Sequence, residues 1–176
     1  MKANRNGDFS RWRNAGEAGL PSEINFACLT PVDSIKGEDE QETQEFKGLH
    51  LDARSYIESF HWHGQIKSES FGIGVAYIVA VFLFELIPAQ PSVDKFLWVV
   101  VGDIPPAYLV TDDAPEPIDA LRTYISLMRE WVEAVKAGKP IEDLIPVNAA
   151  PTMENAADLE SRLNHLEKHV VPQFAS

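Results

Sequence analysis

A chain of 176 residues with 45% hydrophobic and 24% charged residues has the composition of a globular protein, which argues against a disordered or fibrous one. Its 27 acidic residues outnumber its 15 basic ones, and the net charge of -12 disfavours direct binding to nucleic acids and anionic membranes. Such a charge attracts a basic partner or serves solubility alone. One cysteine, Cys28, allows no intramolecular disulfide and no cysteine-rich zinc site, which favours a reducing compartment.

The N-terminal part of the chain, residues 1–48, has no persistent helical or alternating apolar period. It combines a basic start with an acidic run over residues 36–48, and we interpret it as a mobile or loosely docked arm. Because the start lacks the apolar core of a secretory signal, a cytoplasmic location is expected. Trp12 lies between two arginines, a composition typical of binding hot spots, and is predicted to contact a partner. Residues 49–176 are predicted to form a single domain.

The first predicted elements of that domain are a helix and a strand. Asp52 can cap a helix that runs to about Gln65, and the segment 67–75 is expected to add one or two helical turns. The apolar segment 71–87 is too short between its flanking glutamates to cross a bilayer as a helix. Residues 76–88 predict a central strand that is apolar on both faces.

Two further strands are predicted before the next helix. Residues 95–103 form an apolar run, and the seven residues that precede it allow an antiparallel hairpin with the first strand. Residues 107–112 predict a short third strand. Pro105 and Pro106 lack amide donors and therefore interrupt the pairing between the last two segments.

The clearest helical pattern starts at Pro117 and ends before Gly138, with apolar side chains spaced three and four residues apart. A last helix is predicted from an N-cap at Thr152 to a stop at Pro172. Together these elements predict an α+β fold. A small antiparallel sheet of two to three strands packs against three or more helices, and the N-terminal arm is flexible.

The segment "WVVVGDIPPAYLVTDDAPEP", residues 98–117, places acidic residues around two groups of prolines. The second group is largely explained as a strand-to-helix junction, because proline suits the first turn of a helix and acids favour the positive end of its dipole. We also predict that four acids of this segment form the surface that meets a basic protein partner, with the acidic run second. The four acids are Asp103, Asp112, Asp113 and Glu116.

Two histidine pairs are the candidate metal ligands: His61 with His63, and His165 with His169. The second pair, four residues apart, shares one face of the last helix, and Glu58 could face the same way as His61, three residues later. These four ligands would meet if the first and last helices were neighbours. Against a metal site, His61 and His63 point to opposite sides of an extended chain. The favoured interpretation is surface histidines, with no metal and no cofactor.

Glu85 interrupts the central apolar strand and has two interpretations. It either lies near the strand end and reaches solvent or an arginine, or it acts as a general acid or base facing Asp103 or Asp112.

The segments "WVVVGDIPPAYLVTDDAPEP", "ALRTYISLMREWVEAVKAG" and "DLIPVN" resemble a group of small acidic bacterial proteins of unknown function. These proteins share a Gly-Asp-x-Pro-Pro-Ala-Tyr junction and a Trp-bearing helix. The resemblance covers residues 77–170 at most. It implies a recurring domain and a bacterial source, and it attaches no activity.

Because the sequence contains no complete catalytic constellation, it favours a non-enzymatic, acidic interaction protein of the bacterial cytoplasm. The predicted type is an immunity or inhibitor protein that binds and neutralises a basic toxin or effector. A small metal- or carboxylate-dependent hydrolase that uses the histidines and Glu85 is the first alternative. A housekeeping domain that forms a homodimer through its sheet edge or its last helix is the second.

Overall fold

A computed structural model describes residues 23–175, in which five antiparallel strands form one sheet. The strand order is β1-β2-β3-β4-β5, so neighbours in the chain are also neighbours in the sheet. The strands are β1 Thr30–Pro31, β2 Gln65–Val75, β3 Val79–Ile87, β4 Phe96–Gly102 and β5 Ala107–Val110.

Helices cover both faces of this sheet. One face packs against α1, Glu40–Glu58, and the other packs against α2, Pro117–Lys136, and α3, Met153–His165. A π-helical turn, Leu166–Val170, continues α3 into the short α4, Val171–Phe174. Two 3-10 turns, Phe26–Cys28 and Val32–Ser34, flank β1. Within the described part of the chain, no helix has the length and apolar character needed to cross a membrane.

The two central strands are buried on both faces. Along β3, Val79, Val81 and Leu83 belong to the core under α2 and α3, whereas Phe82 and Phe84 belong to the core under α1. This alternation follows from the two-residue period of a strand. The sequence-based prediction of a central strand that is apolar on both faces is therefore confirmed, and so is its antiparallel pairing with β4.

The predicted sheet of two to three strands is wrong, because the structure has five. The largest error concerns β2, which was expected to hold helical turns. It pairs with β3 from Gln65 to Val75, with register shifts between Ile66 and Ser68 and between Phe71 and Ile73. Each bulge inserts an unpaired residue and reverses the side-chain alternation, so the strand lacks the period by which strands are recognised.

Part of the predicted arm belongs to the fold. β1 and the first nine residues of α1 lie before residue 49, so the predicted boundary falls inside α1. The side chain of Asp39 accepts a hydrogen bond from the backbone amide of Glu42 and caps the helix 13 residues earlier than predicted. Phe46 and Ile35 are buried under the sheet. Trp12 and the rest of residues 1–22 lie outside the described residues.

The predicted later elements are largely confirmed. β4, β5 and α2 start and end within two residues of their expected bounds, and the Thr152 side chain caps α3. The expected stop at Pro172 is wrong, since α4 continues through it. Proline lacks an amide, and its ring meets the carbonyl four residues earlier in a regular α-helix; the wider π-helical turn directly before it removes that conflict.

The backbone conformation and close surroundings of Gly102 leave no room for a side chain. Its φ is 145°, and an added Cβ would lie 2.2 Å from the carbonyl oxygen of Ile78. Gly102→Ala is therefore expected to lower the free energy of unfolding by about 2–4 kcal/mol in chemical denaturation. Gly48→Ala within α1 is the control: nothing lies within 4 Å of its added Cβ. Its free energy of unfolding should rise by about 0.5–1 kcal/mol. Equal effects of the two substitutions would contradict this account.

Candidate interaction groove

The junction between β4 and β5, "GDIPP" at residues 102–106, is held by three other elements. The backbone amide of Asp103 donates to the carbonyl of Ile78 at 3.0 Å, in the β2–β3 turn. The hydroxyl of Tyr124 on α2 donates to the carbonyl of Pro105 at 2.7 Å. Arg162 on α3 donates from Nη1 to the carbonyl of Asp103 at 3.0 Å. The proline pair therefore forms a fixed platform rather than a free loop.

Tyr124 secures this platform from inside the core. Its side chain is fully buried, and burial raises the pKa of the phenol well above its ordinary value. The hydroxyl therefore keeps its proton and remains a donor to Pro105. Because a proline has no backbone N–H to donate, it is held in place only through its carbonyl and its ring.

Two open pockets flank Arg162 on this platform. The Tyr77 pocket has a volume of about 230 Å³ and is lined by Tyr77, Ile78, Asp103, Ile104, Arg162, His165 and Leu166. The Pro105 pocket has a volume of about 160 Å³ and includes Pro105, Trp131, Val147, Asn155, Asp158 and Leu159, again with Arg162. We call the two pockets together the interaction groove. It has an apolar floor and a charged rim.

Tyr77, at one side of the groove, has an unusual backbone. Its φ is 65°, and among residues 23–175 it is the one non-glycine residue with a positive φ. The left-handed region costs a residue with a Cβ about 1–2 kcal/mol. Yet its side chain is not buried in exchange, since the residue is 55% exposed and its hydroxyl accepts a hydrogen bond from Gln41 Nε2 at 2.9 Å. The strain presents an aromatic ring to solvent.

Arg162 and Asp103 are neighbours on the rim. Arg162 Nη1 lies 3.4 Å from Asp103 Oδ1, and the two side chains are 49% and 70% exposed. An ion pair this exposed adds little to stability, about 0–1 kcal/mol. The contact orients the guanidinium and leaves most of the Asp103 carboxylate available to solvent or to a partner.

The four acids predicted to form one partner surface are not brought together. Asp103 follows the end of β4, whereas Asp112, Asp113 and Glu116 follow the end of β5, which runs in the opposite direction. The length of β4, about 20 Å at 3.3 Å per residue, separates the two ends. Asp103 therefore belongs to the interaction groove, and the other three acids belong to the opposite end of the sheet.

Glu116 has a structural role at that end. Its Oε1 accepts a hydrogen bond from Asn25 Nδ2 at 2.8 Å, and the Asn25 amide donates to the carbonyl of Pro115 at 2.9 Å. The segment before β1 is thus attached to the start of α2. Partial burial of the Cys28 thiol and the nearby Glu116 carboxylate raise the pKa of Cys28, the opposite of what an activated nucleophile needs.

Glu85 lies near the end of β3, between two lysines, with a side chain that is 14% exposed. Its Oε1 accepts from Lys67 Nζ at 2.8 Å and lies 3.1 Å from Lys95 Nζ, and its Oε2 accepts from Ser68 Oγ at 2.9 Å. These bonds lower the pKa of Glu85 from its ordinary value of 4.5 to about 2, with Lys67 the largest cause. The carboxylate stays ionised and does not face Asp103, which lies at the other end of β4. The expected contact with an arginine or solvent is replaced by a contact with two lysines.

The histidines do not form one site. His61 and His63 follow α1 on one face of the sheet, whereas His165 and His169 lie beyond the other face, with ring centroids 5.0 Å apart. Among the described residues, no group of three or more histidine, cysteine or acidic side chains is arranged to hold a metal ion. The condition under which the ligands would meet, that the first and last helices are neighbours, is not fulfilled, because the sheet lies between them.

A half-buried ionic cluster between α1 and β2 was not predicted. Glu69 contacts both His50 Nε2 and Arg54 Nη1, and Arg54 Nε donates to Glu58 at 2.9 Å. The spacing of His50, Arg54 and Glu58 at i, i+4 was visible in the sequence, but recognising it required the correct start of α1. The cluster attaches α1 to β2.

Comparison of the chain with models of protein families, with curated proteins and with solved structures gives no match. The class of this protein therefore follows from its own geometry: a three-layer α/β/α sandwich with an acidic surface and a groove at one end of its antiparallel sheet.

The Glu85 cluster predicts a pH-dependent stability. A carboxyl whose pKa is lowered by folding stabilises the protein above its unfolded pKa, and this contribution is lost as the pH falls through the folded pKa. Glu85→Gln should therefore lower the free energy of unfolding at pH 7, and the difference from the parent protein should shrink as the pH falls from 4.5 to about 2. Denaturation at pH 7 and near pH 2 measures both. Glu130→Gln, at an exposed position on α2, is the control and should have little effect at either pH. A difference that stays constant with pH would contradict this role.

Proposed function

We propose that this protein is an acidic interaction module of the bacterial cytoplasm that binds a basic protein partner, in the manner of an immunity or inhibitor protein that neutralises a toxin or effector. The observation that carries the proposal is the distribution of charge. Residues 1–22 contain four basic and two acidic residues, so the rest of the chain contains 25 acidic and 11 basic residues. The described fold is therefore more acidic than the chain as a whole. Complementary charge accelerates association with a basic protein and disfavours wrong partners.

The interaction groove supports a protein as the ligand. Tyrosine and arginine are enriched among the residues that dominate binding energy at protein interfaces, and Tyr77 and Arg162 are both exposed here. Asp103 and Asp158 lie on either side of Arg162, and each can accept a lysine or arginine side chain from the partner. The apolar floor between them provides surface that is removed from water on binding.

The resemblance in the Gly-Asp-x-Pro-Pro-Ala-Tyr junction supports a bacterial source, and the fixed platform gives that junction a role in forming the groove. The hydrolase alternative gains no support from Glu85, since a carboxyl with a pKa of about 2 holds no proton to donate near neutral pH and is too weakly basic to accept one. A homodimer remains an alternative outcome of the binding experiments.

The test begins with capture of the partner on the tagged full-length chain from its native host, with washes at low and high salt. The expected result is one basic protein at a stoichiometric amount, released by high salt. The purified pair then gives a dissociation constant by calorimetry at two ionic strengths, and weaker binding at the higher one is expected. Capture of a second copy of this chain alone, or of no protein, would contradict the proposal.

Two matched variants locate the surface. Asp103→Asn with Asp158→Asn removes two charges in the groove, and Asp112→Asn with Asp113→Asn removes two charges at the opposite end of the sheet. The groove variant should weaken binding about two- to thirtyfold, as expected for two exposed ion pairs, and the other should change it less. The reverse order would move the contact surface to the β5–α2 junction. Equal dissociation constants for both variants and the parent would overturn the charge-based proposal.

A further inference from the structure

We propose that the Tyr77 pocket receives an aromatic side chain carried by a basic segment of the partner, and that Tyr77 and Arg162 are the residues that recognise it. This inference rests on the proposed function and names the chemistry of the partner at the same site. It is carried by four observations: the strained backbone of Tyr77, the size of the pocket, the fixed guanidinium of Arg162 and the acids on the rim.

The first observation is the backbone of Tyr77. A residue with a φ of 65° would ordinarily be glycine or asparagine, and here it is a tyrosine that is 55% exposed. Its packing does not repay the strain, and its hydroxyl contacts only the exposed Gln41 among the described residues. The β2–β3 turn, which the Ile78 amide closes by donating to the Val75 carbonyl at 3.0 Å, requires a positive φ at this position but does not require a tyrosine. The exposed ring is therefore expected to contact a bound partner.

The second observation is the pocket itself. A cavity of about 150 Å³ with apolar walls is large enough for benzene. The Tyr77 pocket, at about 230 Å³, has room for a phenol or an indole ring. Ile78, Ile104 and Leu166 form its floor, so an apolar ring placed there is removed from water. Tyr77 at the rim supplies an aromatic edge or face, and aromatic pairs gain energy beyond the area that they bury.

The third observation is the position of Arg162. Its Nη1 is bonded to the carbonyl of Asp103 at 3.0 Å and lies 3.4 Å from the Asp103 carboxylate. These contacts restrict the guanidinium before any ligand arrives, so less side-chain entropy is lost on binding. A planar guanidinium at the wall of a pocket stacks on aromatic rings through a cation–π interaction. Trp and Tyr are favoured over aliphatic side chains for this reason.

The fourth observation is the charge around the pocket. Asp103 is 70% exposed at its rim, and Asp158 lies in the adjoining Pro105 pocket. A lysine or arginine next to the aromatic residue in the partner would lie close to these carboxylates. The described fold as a whole, with 25 acidic and 11 basic residues, disfavours an acidic segment. The ligand is thus an aromatic side chain with a basic neighbour.

The probe is N-acetyl-arginyl-tryptophan amide, titrated into the ¹⁵N-labelled full-length chain and followed by amide chemical shifts. We expect saturable shifts confined to the β2–β3 turn, residues 102–106 and the end of α3, with a dissociation constant on the order of 1 mM. The glutamyl-tryptophan analogue should bind roughly threefold or more weakly. The arginyl-alanine analogue should give no localised shifts. Absence of saturable shifts up to about 10 mM, or equal binding of the alanine analogue, would overturn the proposal.

Substitutions of Tyr77 separate recognition from a structural role. Tyr77→Asn and Tyr77→Gly keep or relieve the backbone strain, so the midpoint of thermal unfolding should stay equal or rise. Both should weaken binding of the arginyl-tryptophan probe about two- to tenfold. Tyr77→Phe keeps the ring, loses only the contact with Gln41, and should bind the probe as the parent does. If the asparagine and glycine variants unfold at lower temperature and still bind the probe, Tyr77 is structural and the inference is wrong.

The probe experiments and the capture experiments fail separately. If the pocket binds the probe but the chain captures no basic protein, the aromatic site is supported and the proposed function is overturned. If a basic protein is captured and its affinity is unchanged by Tyr77→Asn, the proposed function is supported and the role of the Tyr77 pocket is overturned.

Discussion

The burial of β3 and β4 on both faces is the constraint on which the rest of the structure depends. Each strand carries large apolar side chains on alternate sides. Among them are Phe82 and Trp98, which are fully buried. A five-stranded antiparallel sheet with one bare face would leave half of these side chains in water, at a cost of about 1.5–3 kcal/mol for each large one. Helices on both faces are therefore required, and the chain supplies α1 between β1 and β2 and α2 with α3 after β5.

The same arrangement produces the groove. Because α2 and α3 must return across the sheet after β5, α3 meets the end of β4 from which the Gly-Asp-Ile-Pro-Pro junction departs. Gly102 allows the backbone to pass within contact distance of Ile78, and Tyr124 and Arg162 then hold the junction from two helices. The tight β2–β3 turn brings Tyr77 to the same end. A rigid scaffold thus supports exposed side chains on short connections, which is the usual arrangement of binding residues.

The sequence predicts those parts of the fold whose signal is local and regular. β3 and β4 are continuous apolar runs and α2 has an unbroken helical period, and all three are found close to where they are expected. β2 was missed because two bulges break its alternation, and the start of α1 was missed because acidic capping residues precede its apolar face, Phe46, Leu49, Ala53 and Ile57. In β2 the hydrophobic period shifts at each bulge, and in α1 it begins several residues after the helix starts. A search for one regular period along the sequence misses both.

The candidate site is less predictable than the fold, for a physical reason. Asp103 was found as an exposed acid beside prolines, but its partner Arg162 lies 59 residues away, and nothing in the sequence indicates that contact. Tyr77 lies in a turn, Ala76-Tyr77-Ile78, that lacks the glycine, asparagine or proline by which turns are recognised. The departure from turn chemistry is visible only once the backbone is known. Sites at which local preference and observed structure disagree are where function is expected, since there the fold tolerates a cost that packing does not repay.

Charge and shape then contribute different parts of recognition. The excess of acids acts over roughly a Debye length, about 8 Å at physiological ionic strength, and raises the rate at which any basic protein approaches, without selecting one. Selection requires contacts that only a matching surface can make, and the proposed function places these contacts around Arg162, which lines both pockets. An arginine fixed within an acidic surface also repels basic segments that bring no aromatic or acceptor group to it. Under the proposed function, Arg162 is the residue that converts a general attraction for basic proteins into a preference among them.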